Sequence, residues 1–130
     1  MCGCPGRDCA PQGALTTERL LRILILEDDP LIALDLQMLL EGVGHQVVDV
    51  CGNLSAARRH LADHFDFALL DVDLPDGKSF EVASRLDEKR IPFAFVSGSA
   101  KAELPPNLRH ARFIAKPYQH AAIINSLRAA

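Results

Sequence analysis

The sequence predicts an α/β protein, a three-layer α/β/α sandwich built on a five-stranded parallel sheet. Short aliphatic runs alternate five times with segments whose apolar residues recur at helical spacing. The runs at 22–26 and 67–70 are apolar throughout, which is typical of strands buried on both faces. Because crossovers between parallel strands are right-handed, few topologies remain, and we expect the strand order 2-1-3-4-5.

These patterns give each element a range. The predicted strands are 22–26, 47–51, 67–70, 92–96 and 111–115. The predicted helices are 31–41, a helix from about 53–55 to 64, 79–89 and 119–128. Pro30 suits the first turn of a helix, whereas Pro105 and Pro106 cannot lie inside one. The segment 100–110 is therefore predicted to be a short or broken helix.

Composition and charge exclude several classes of protein. The chain has 130 residues, enough for about one domain, with 48% hydrophobic residues and a net charge of −3. It has no basic stripe of the kind that binds nucleic acid. It also lacks an apolar stretch of the roughly 18 residues that a membrane span needs, and a secretory signal. We expect a cytoplasmic protein with neither nucleic-acid nor membrane partners.

The four cysteines are unevenly placed along the chain. Cys2, Cys4 and Cys9 lie among glycines and prolines, and their spacing is not that of the C-x2-C pairs of zinc sites. We interpret residues 1–20 as a flexible leader and 21–130 as the folded domain. Metal or redox chemistry in the leader is the less favoured alternative. Cys51 ends an apolar run and is interpreted as a small core residue.

Polar residues follow four of the five predicted strands. They are Glu27, Asp28 and Asp29 after the first strand, Asp71 after the third, Ser97 after the fourth and Lys116 after the fifth. In the expected order these four strands are neighbours, and such sheets carry their sites at the carboxyl ends of the strands. Each residue alone has an ordinary explanation as a helix cap, a turn hydroxyl or a surface lysine. Their joint placement predicts a functional site.

The residue types at this edge suit phosphoryl chemistry. Clustered carboxylates repel one another unless a cation lies among them, and Mg²⁺ prefers oxygen ligands. Lys116 can pair with Asp71 or with a phosphoryl oxygen, and the hydroxyl of Ser97 can donate to the same group. Asp71 is thereby equipped to attack phosphorus and to form an aspartyl phosphate.

These motifs resemble those of the receiver domains of bacterial two-component response regulators. The matching stretches are 27–29, the block LLDVDLPDG at 69–77, VSG at 96–98, Phe113 and AKP at 115–117. The resemblance runs from about Arg22 to the C-terminus and implies the flavodoxin-like fold. It implies that Asp71 accepts a phosphoryl group from a histidine kinase or a phosphotransfer protein. It also implies that Asp28, Asp29, Asp71 and the backbone carbonyl of Asp73 hold Mg²⁺.

The resemblance further implies how such a domain switches. Ser97 would move toward the phosphoryl group, Lys116 would pair with it, and Phe113 would turn inward on activation. Output would then come from a changed surface offered to a downstream protein. We also expect Asp73 and Ser99 to tune dephosphorylation, because they flank the expected path of water to the phosphoryl group.

The chain departs from the family pattern in places. Ser79 stands where glycine is usual, which is expected to alter the loop after Asp71. The 100–110 segment shortens the family's fourth helix, part of its usual dimer face, so a homodimer is left open. The stretch 93–98 and the segment after it resemble a subgroup of single-domain receivers from α-proteobacteria. We therefore expect a stand-alone receiver and no enzymatic activity beyond self-catalysed phosphorylation and dephosphorylation.

Two alternative functions remain open. Asp71-Val72-Asp73 also resembles the paired aspartates of haloacid-dehalogenase-type phosphatases. In those enzymes, however, the acidic metal ligands generally follow the motif, whereas here they precede it. The second alternative is a degenerate receiver that acts only as a binding module, which is disfavoured because no key residue is missing.

Overall fold

A five-stranded parallel sheet forms the centre of the protein in a computed structural model that describes residues 19–128. The strands are β1 (Arg22–Leu26), β2 (Gln46–Cys51), β3 (Phe67–Leu70), β4 (Phe93–Ser97) and β5 (Arg112–Ala115). Their order across the sheet is β2-β1-β3-β4-β5, and every neighbouring pair is parallel. The predicted fold class and strand order are confirmed. The predicted leader, with Cys2, Cys4 and Cys9, lies outside the described residues apart from its last two positions.

Helices cover both faces of the sheet and give it two separate cores. They are α1 (Pro30–Gly42), α2 (Leu54–Arg58), α3 (Phe80–Glu88) and α4 (His120–Leu127). Because successive strand residues point to opposite faces, Leu24 and Leu26 of β1 pack with α2 and α3, whereas Ile23 and Ile25 pack with α1 and α4. The aliphatic runs are therefore apolar throughout, since each strand contributes to both cores.

The second helix is shorter than its predicted range. Regular helix ends at Arg58, and the turns that follow are closed by hydrogen bonds from Leu61 N–H to the Arg58 carbonyl and from Asp63 N–H to the His60 carbonyl. Bonds to the third preceding residue tighten the chain out of α-helical geometry. The side chain of His60 also bonds to Asp63 within this turn, and this contact stabilises the tighter turn.

Two other connections bear on the site. A small antiparallel hairpin, Asp73–Leu74 paired with Gly77–Lys78, follows β3, in the loop after Asp71, where no strand was predicted from the sequence. Between β4 and β5 the chain forms two 3₁₀ turns, Lys101–Glu103 and Pro106–Leu108, which confirms the predicted break in helical structure. Among the helices of residues 19–128, none has the length and apolar character needed to cross a membrane.

Candidate functional site

Asp71 lies at the carboxyl edge of the sheet, directly after β3. Its backbone N–H donates to the carbonyl of Leu26 on β1 at 2.8 Å, which extends the parallel pairing by one residue. The residue is 8% exposed, and its Oδ1 accepts a hydrogen bond from the Val72 N–H at 2.7 Å. The carboxylate is therefore held by a rigid element and still reaches solvent.

Lys116 brings a positive charge to Asp71 from the end of β5. Its Nζ lies 3.1 Å from Asp71 Oδ2 and 2.6 Å from Glu27 Oε1, so one ammonium bridges two carboxylates. Its backbone N–H donates to the Ser97 carbonyl at 3.0 Å. Burial alone would lower the pKa of Lys116, but the hydrogen bonds to Glu27 and Asp71 outweigh burial and raise that pKa. Lys116 is therefore a fixed cation at neutral pH.

Three carboxylates form the acidic cluster at this edge: Glu27, Asp28 and Asp71. One oxygen of each lies within 4.8 Å of the others. Glu27 is 3% exposed, and burial raises its pKa although the hydrogen bond from Lys116 acts in the opposite direction. The ionised form of Glu27 is thus held at an electrostatic cost that a second cation would relieve.

The side chain of Asp29 is not part of this cluster, although its backbone N–H donates to Glu27 Oε2 at 3.0 Å. Its Oδ1 accepts hydrogen bonds from the N–H groups of Leu31 at 2.9 Å and Ile32 at 3.4 Å, so it caps the N-terminus of α1. Asp29 was predicted to hold Mg²⁺ with Asp28 and Asp71, whereas the carboxylates beside Asp71 in the structure are those of Glu27 and Asp28. Pro30 occupies the first position of the helix, which makes the preceding residue its cap. In the sequence, the Asp29-Pro30 pair indicates that the helix begins at Pro30 and that Asp29 is its cap.

The acidic cluster fits a hard divalent cation. All three ligand atoms are carboxylate oxygens, the donor type that Mg²⁺ prefers. Lys116 supplies a single positive charge against three carboxylates, so the cluster keeps a net negative charge. Glu27 also donates its backbone N–H to the Cys51 carbonyl at 2.9 Å, which anchors the cluster to the edge strand β2.

Ser97 lies on β4, the strand next to β3, and Phe113 lies on β5, the strand beyond it. Ser97 ends β4, is 1% exposed, and accepts a hydrogen bond on its Oγ from the Ser99 N–H at 3.1 Å. Phe113, on β5, is half-buried, and its ring centroid is 6.5 Å from that of Phe95. Both residues are placed where the sequence predicted, and their switching roles stay predictions.

The mouth of the site carries a polar network that joins two loops. Asp73 accepts hydrogen bonds from Lys78 Nζ and from Ser99 Oγ, and Lys78 also lies 3.7 Å from Glu103. The hydrogen bond from Lys78, followed by that from Ser99, lowers the pKa of Asp73. Asp73 and Ser99 were predicted to act together, whereas Lys78 was missed, because only the hairpin brings it opposite Asp73.

Ser79 closes the loop that follows Asp71. Its Oγ donates to the Asp71 carbonyl at 2.5 Å, its N–H donates to the Val72 carbonyl at 3.0 Å, and the residue is fully buried. The serine at this position, where the family usually has glycine, therefore adds a hydrogen bond to the backbone of Asp71. In the same loop, the carboxylate of Asp76 accepts from the N–H groups of Leu54 and Ser55 and so supports the start of α2.

Comparison with known proteins places this architecture among bacterial signalling proteins. Residues 23–128 match the response regulator receiver domain family. Phyllosphere-induced regulator PhyR of Methylorubrum extorquens is 33% identical over 114 residues, which cover 84% of this chain and 43% of PhyR. Response regulator receiver protein CpdR of Brucella abortus is 29% identical over 111 residues, covering 82% of this chain and 92% of CpdR. The chain thus spans less than half of PhyR.

Solved structures agree with the sequence comparison. The solution structure of SdrG from Sphingomonas melonis Fr1 has a TM-score of 0.74 and 33% sequence identity to this chain. The match covers 85% of this chain and 95% of SdrG. The similarity therefore extends over almost the whole of the solved domain.

Proposed function

This chain belongs to the response regulator receiver domain family, and on that premise we propose that Asp71 is its phosphoacceptor. The observation that carries the proposal is the contact of the Asp71 carboxylate with Lys116 at 3.1 Å, beside the carboxylates of Glu27 and Asp28. The phosphoryl donor is a histidine kinase or a phosphotransfer protein. The output is a protein-interaction surface that changes on phosphorylation.

The geometry supports a direct displacement at phosphorus. A carboxylate oxygen of Asp71 attacks the phosphorus of a phosphohistidine, an O–P bond forms, and the N–P bond breaks. The electron pair of that bond returns to the imidazole nitrogen, which leaves as neutral imidazole when its other nitrogen carries a proton. The Lys116 ammonium lies beside Asp71, where it can balance charge on the phosphoryl oxygens.

We assign the metal site of this reaction to Glu27, Asp28 and Asp71, with the Asp73 carbonyl as a further predicted ligand. When bound there, Mg²⁺ would supply positive charge to the transferring phosphoryl group. Asp29 is assigned to the α1 cap instead. The two roles are separable: Glu27→Gln should weaken Mg²⁺ binding strongly. Asp29→Asn should leave it nearly unchanged, because asparagine is also a good cap.

The proposed switch uses the hydroxyl and the aromatic ring on the neighbouring strands. Phosphorylation adds negative charge at Asp71, which favours approach of the Ser97 hydroxyl as a hydrogen-bond donor. That approach requires the Ser99 N–H to give up its bond to Ser97 Oγ, and so it disturbs the Asp73–Ser99 contact at the mouth. Phe113 is half-buried against Phe95 and can move further inward.

A small-molecule phosphodonor such as acetyl phosphate tests the proposal. With Mg²⁺ present, the protein should gain one acid-labile phosphate per chain, and Asp71→Asn should abolish that gain. Asp87→Asn, which changes an exposed aspartate at the end of α3, serves as the matched control and should label normally. Labelling of Asp71→Asn would refute the assignment. Absence of labelling in the unaltered protein, with the donor and a kinase both tried, would favour the binding-module alternative.

A further inference from the structure

A second group of ligating side chains lies on the edge strand β2, away from Asp71. Asp49 and Cys51 are two residues apart and so share one face of β2. A break in register precedes them: Ile23 pairs with Val47, and Leu24 with Asp49, so Val48 is the extra residue of a bulge. Bulges re-aim side chains, and this one lies directly before the cluster. The turn after α2 brings His60 over the same face.

The three side chains converge closely. His60 Nε2 lies 2.8 Å from Asp49 Oδ2, and Cys51 Sγ lies 3.9 Å from the same oxygen. All three potential ligand atoms lie within 4.8 Å of one another. In a tetrahedral zinc site with ordinary bond lengths, ligand atoms are about 3.3–3.6 Å apart. The two observed distances, 2.8 and 3.9 Å, lie on either side of this range, so small side-chain movements would bring the three ligand atoms to zinc-binding geometry.

The orientation of His60 provides an independent observation. Its other ring nitrogen, Nδ1, lies 2.8 Å from Asp63 Oδ2. Histidines that bind metals commonly have a carboxylate partner on the nitrogen that is not a ligand, because this bond fixes the tautomer and the ring plane. Asp63 is in that position, and Nε2 is thereby aimed at Asp49 and Cys51.

We propose that Asp49, Cys51 and His60 form a site for Zn²⁺, with a fourth position open to water or to a ligand from a partner. A thiol, an imidazole and a carboxylate are the ligand types that zinc takes together, and they are unlike the all-oxygen set at Asp71. Binding releases the thiol proton of Cys51 and the Nε2 proton that His60 shares with Asp49. No electron transfer is involved.

The site is connected to the phosphoacceptor cluster through the backbone. The Cys51 carbonyl accepts a hydrogen bond from the Glu27 N–H at 2.9 Å, and Cys51 is paired in register with Leu26. Cys51 is 1% exposed, whereas the Asp49 side chain is 50% exposed. The zinc would therefore lie at the carboxyl end of the partly exposed edge strand β2, accessible from solvent on the Asp49 side.

Titration with Co²⁺, followed by displacement with Zn²⁺, tests this site directly. The full chain should be used with Cys2, Cys4 and Cys9 replaced by serine, so that leader thiols cannot bind. With excess Mg²⁺ present to occupy the acidic cluster, we expect a thiolate-to-cobalt charge-transfer band that saturates at one equivalent of Co²⁺ and is lost on addition of one equivalent of Zn²⁺. Cys51→Ser should abolish the band, and Asp63→Asn should weaken binding by about 10- to 100-fold.

Three further variants keep the result decisive. His60→Gln serves if Cys51→Ser fails to fold, because it changes a residue in a surface turn and its fold can be verified by circular dichroism. The His60→Gln variant should bind the metal at least about tenfold more weakly. His64→Gln alters a nearby exposed histidine and should change nothing. Asp71→Asn should also retain the band. No thiolate band, an unaffected His60→Gln, or loss of binding in Asp71→Asn would each overturn the proposal, and the first would leave Asp49, His60 and Asp63 as ion pairs only.

Discussion

Two clusters of charged side chains, one around Asp71 and one on the edge strand β2, differ in how their charge is balanced. At Asp71, buried carboxylates are held by Lys116, which comes from a strand 45 residues further along the chain. On β2, His60 lies between Asp49 and Asp63, 11 and 3 residues away, whose side chains are about half exposed. The first cluster depends on tertiary structure and excludes much of the solvent, whereas the second is local and hydrated.

The difference in burial separates the interactions that control stability from those that provide chemistry. Removing one partner from a buried charge cluster leaves the other charges uncompensated, which is costly, whereas exposed pairs are worth little. A buried cluster therefore binds its cation with a large electrostatic driving force but destabilises the free protein.

Replacing the buried cation should have the largest effect. Lys116→Met leaves Glu27 and Asp71 without their ammonium, and we expect a loss of about 3 kcal/mol in the free energy of unfolding. Urea denaturation without Mg²⁺ measures it. Lys78→Met is the matched control, because Lys78 pairs with Asp73 and Glu103 at the exposed mouth, and it should have a much smaller effect. Equal losses for the two variants would contradict the contrast between the clusters.

Removing the buried negative charge of Glu27 should raise the free energy of unfolding instead of lowering it. Because burial raises the pKa of Glu27, the wild-type protein loses stability as pH rises from 4.5 through that raised pKa. Glu27→Gln lacks this loss, so it should be more stable than the wild type at pH 7 without Mg²⁺ and no more stable at pH 4. Thermal melts at the two pH values check the prediction. A less stable variant at pH 7 would show that the pairing with Lys116 exceeds the cost of burial.

A half-exposed carboxylate should give an intermediate effect. Tyr118 donates its hydroxyl to Asp35 Oδ2 at 2.6 Å, joining the segment before α4 to α1, and this bond is the largest cause that lowers the pKa of Asp35. Tyr118→Phe should cost about 1 kcal/mol at pH 7, discounted for solvent exposure. The difference should shrink as pH falls from 3.8 through the lowered pKa, because Asp35 becomes protonated. A pH-independent difference would assign the effect to packing alone.

The exposed cluster should give the smallest effect on the metal-free protein. His60→Gln should change the free energy of unfolding by no more than about 0.5 kcal/mol in the presence of a chelator. With Zn²⁺ in excess, the same variant should melt at a lower temperature than the wild type, because only the wild type gains binding energy. A large loss in chelator would mean that the pairs with Asp49 and Asp63 are structural in their own right.

Much of the fold was predictable because its signals are local. Apolar runs such as 22–26 and 67–70 predicted strands buried on both faces, and the observed strands coincide with them. The Pro105-Pro106 pair predicted a short or broken helix, and two 3₁₀ turns are found there. The helix predicted to reach 64 ended at Arg58, because a side-chain contact of His60 favours a tighter turn. The spacing of apolar residues does not show whether a side-chain contact will favour a tighter turn over continued α-helix.

The sequence predicted where the site residues lie in the fold, but it did not predict which side chains contact one another. Asp71, Ser97 and Lys116 were placed at strand ends from the sequence, and the structure finds them there. Among the three successive acids, Asp28 and Asp29 were predicted from the sequence to be metal ligands, whereas in the structure Asp29 caps α1 and Glu27 belongs to the cluster. Which side chain turns inward depends on where the helix begins, and that was judged from the apolar pattern and not from the capping pair.

Hydropathy and turn residues act over short distances, so the alternation of strands and helices, the buried sheet and the carboxylate at the end of β3 can be read from the amino-acid sequence. Which charged side chains meet depends on how the elements pack. Lys116 reaches Glu27 across 89 residues, Lys78 meets Asp73 through a hairpin, and Cys51 is joined by His60 from a turn. These contacts depend on side-chain direction and on crossovers, so spacing along the chain does not specify them.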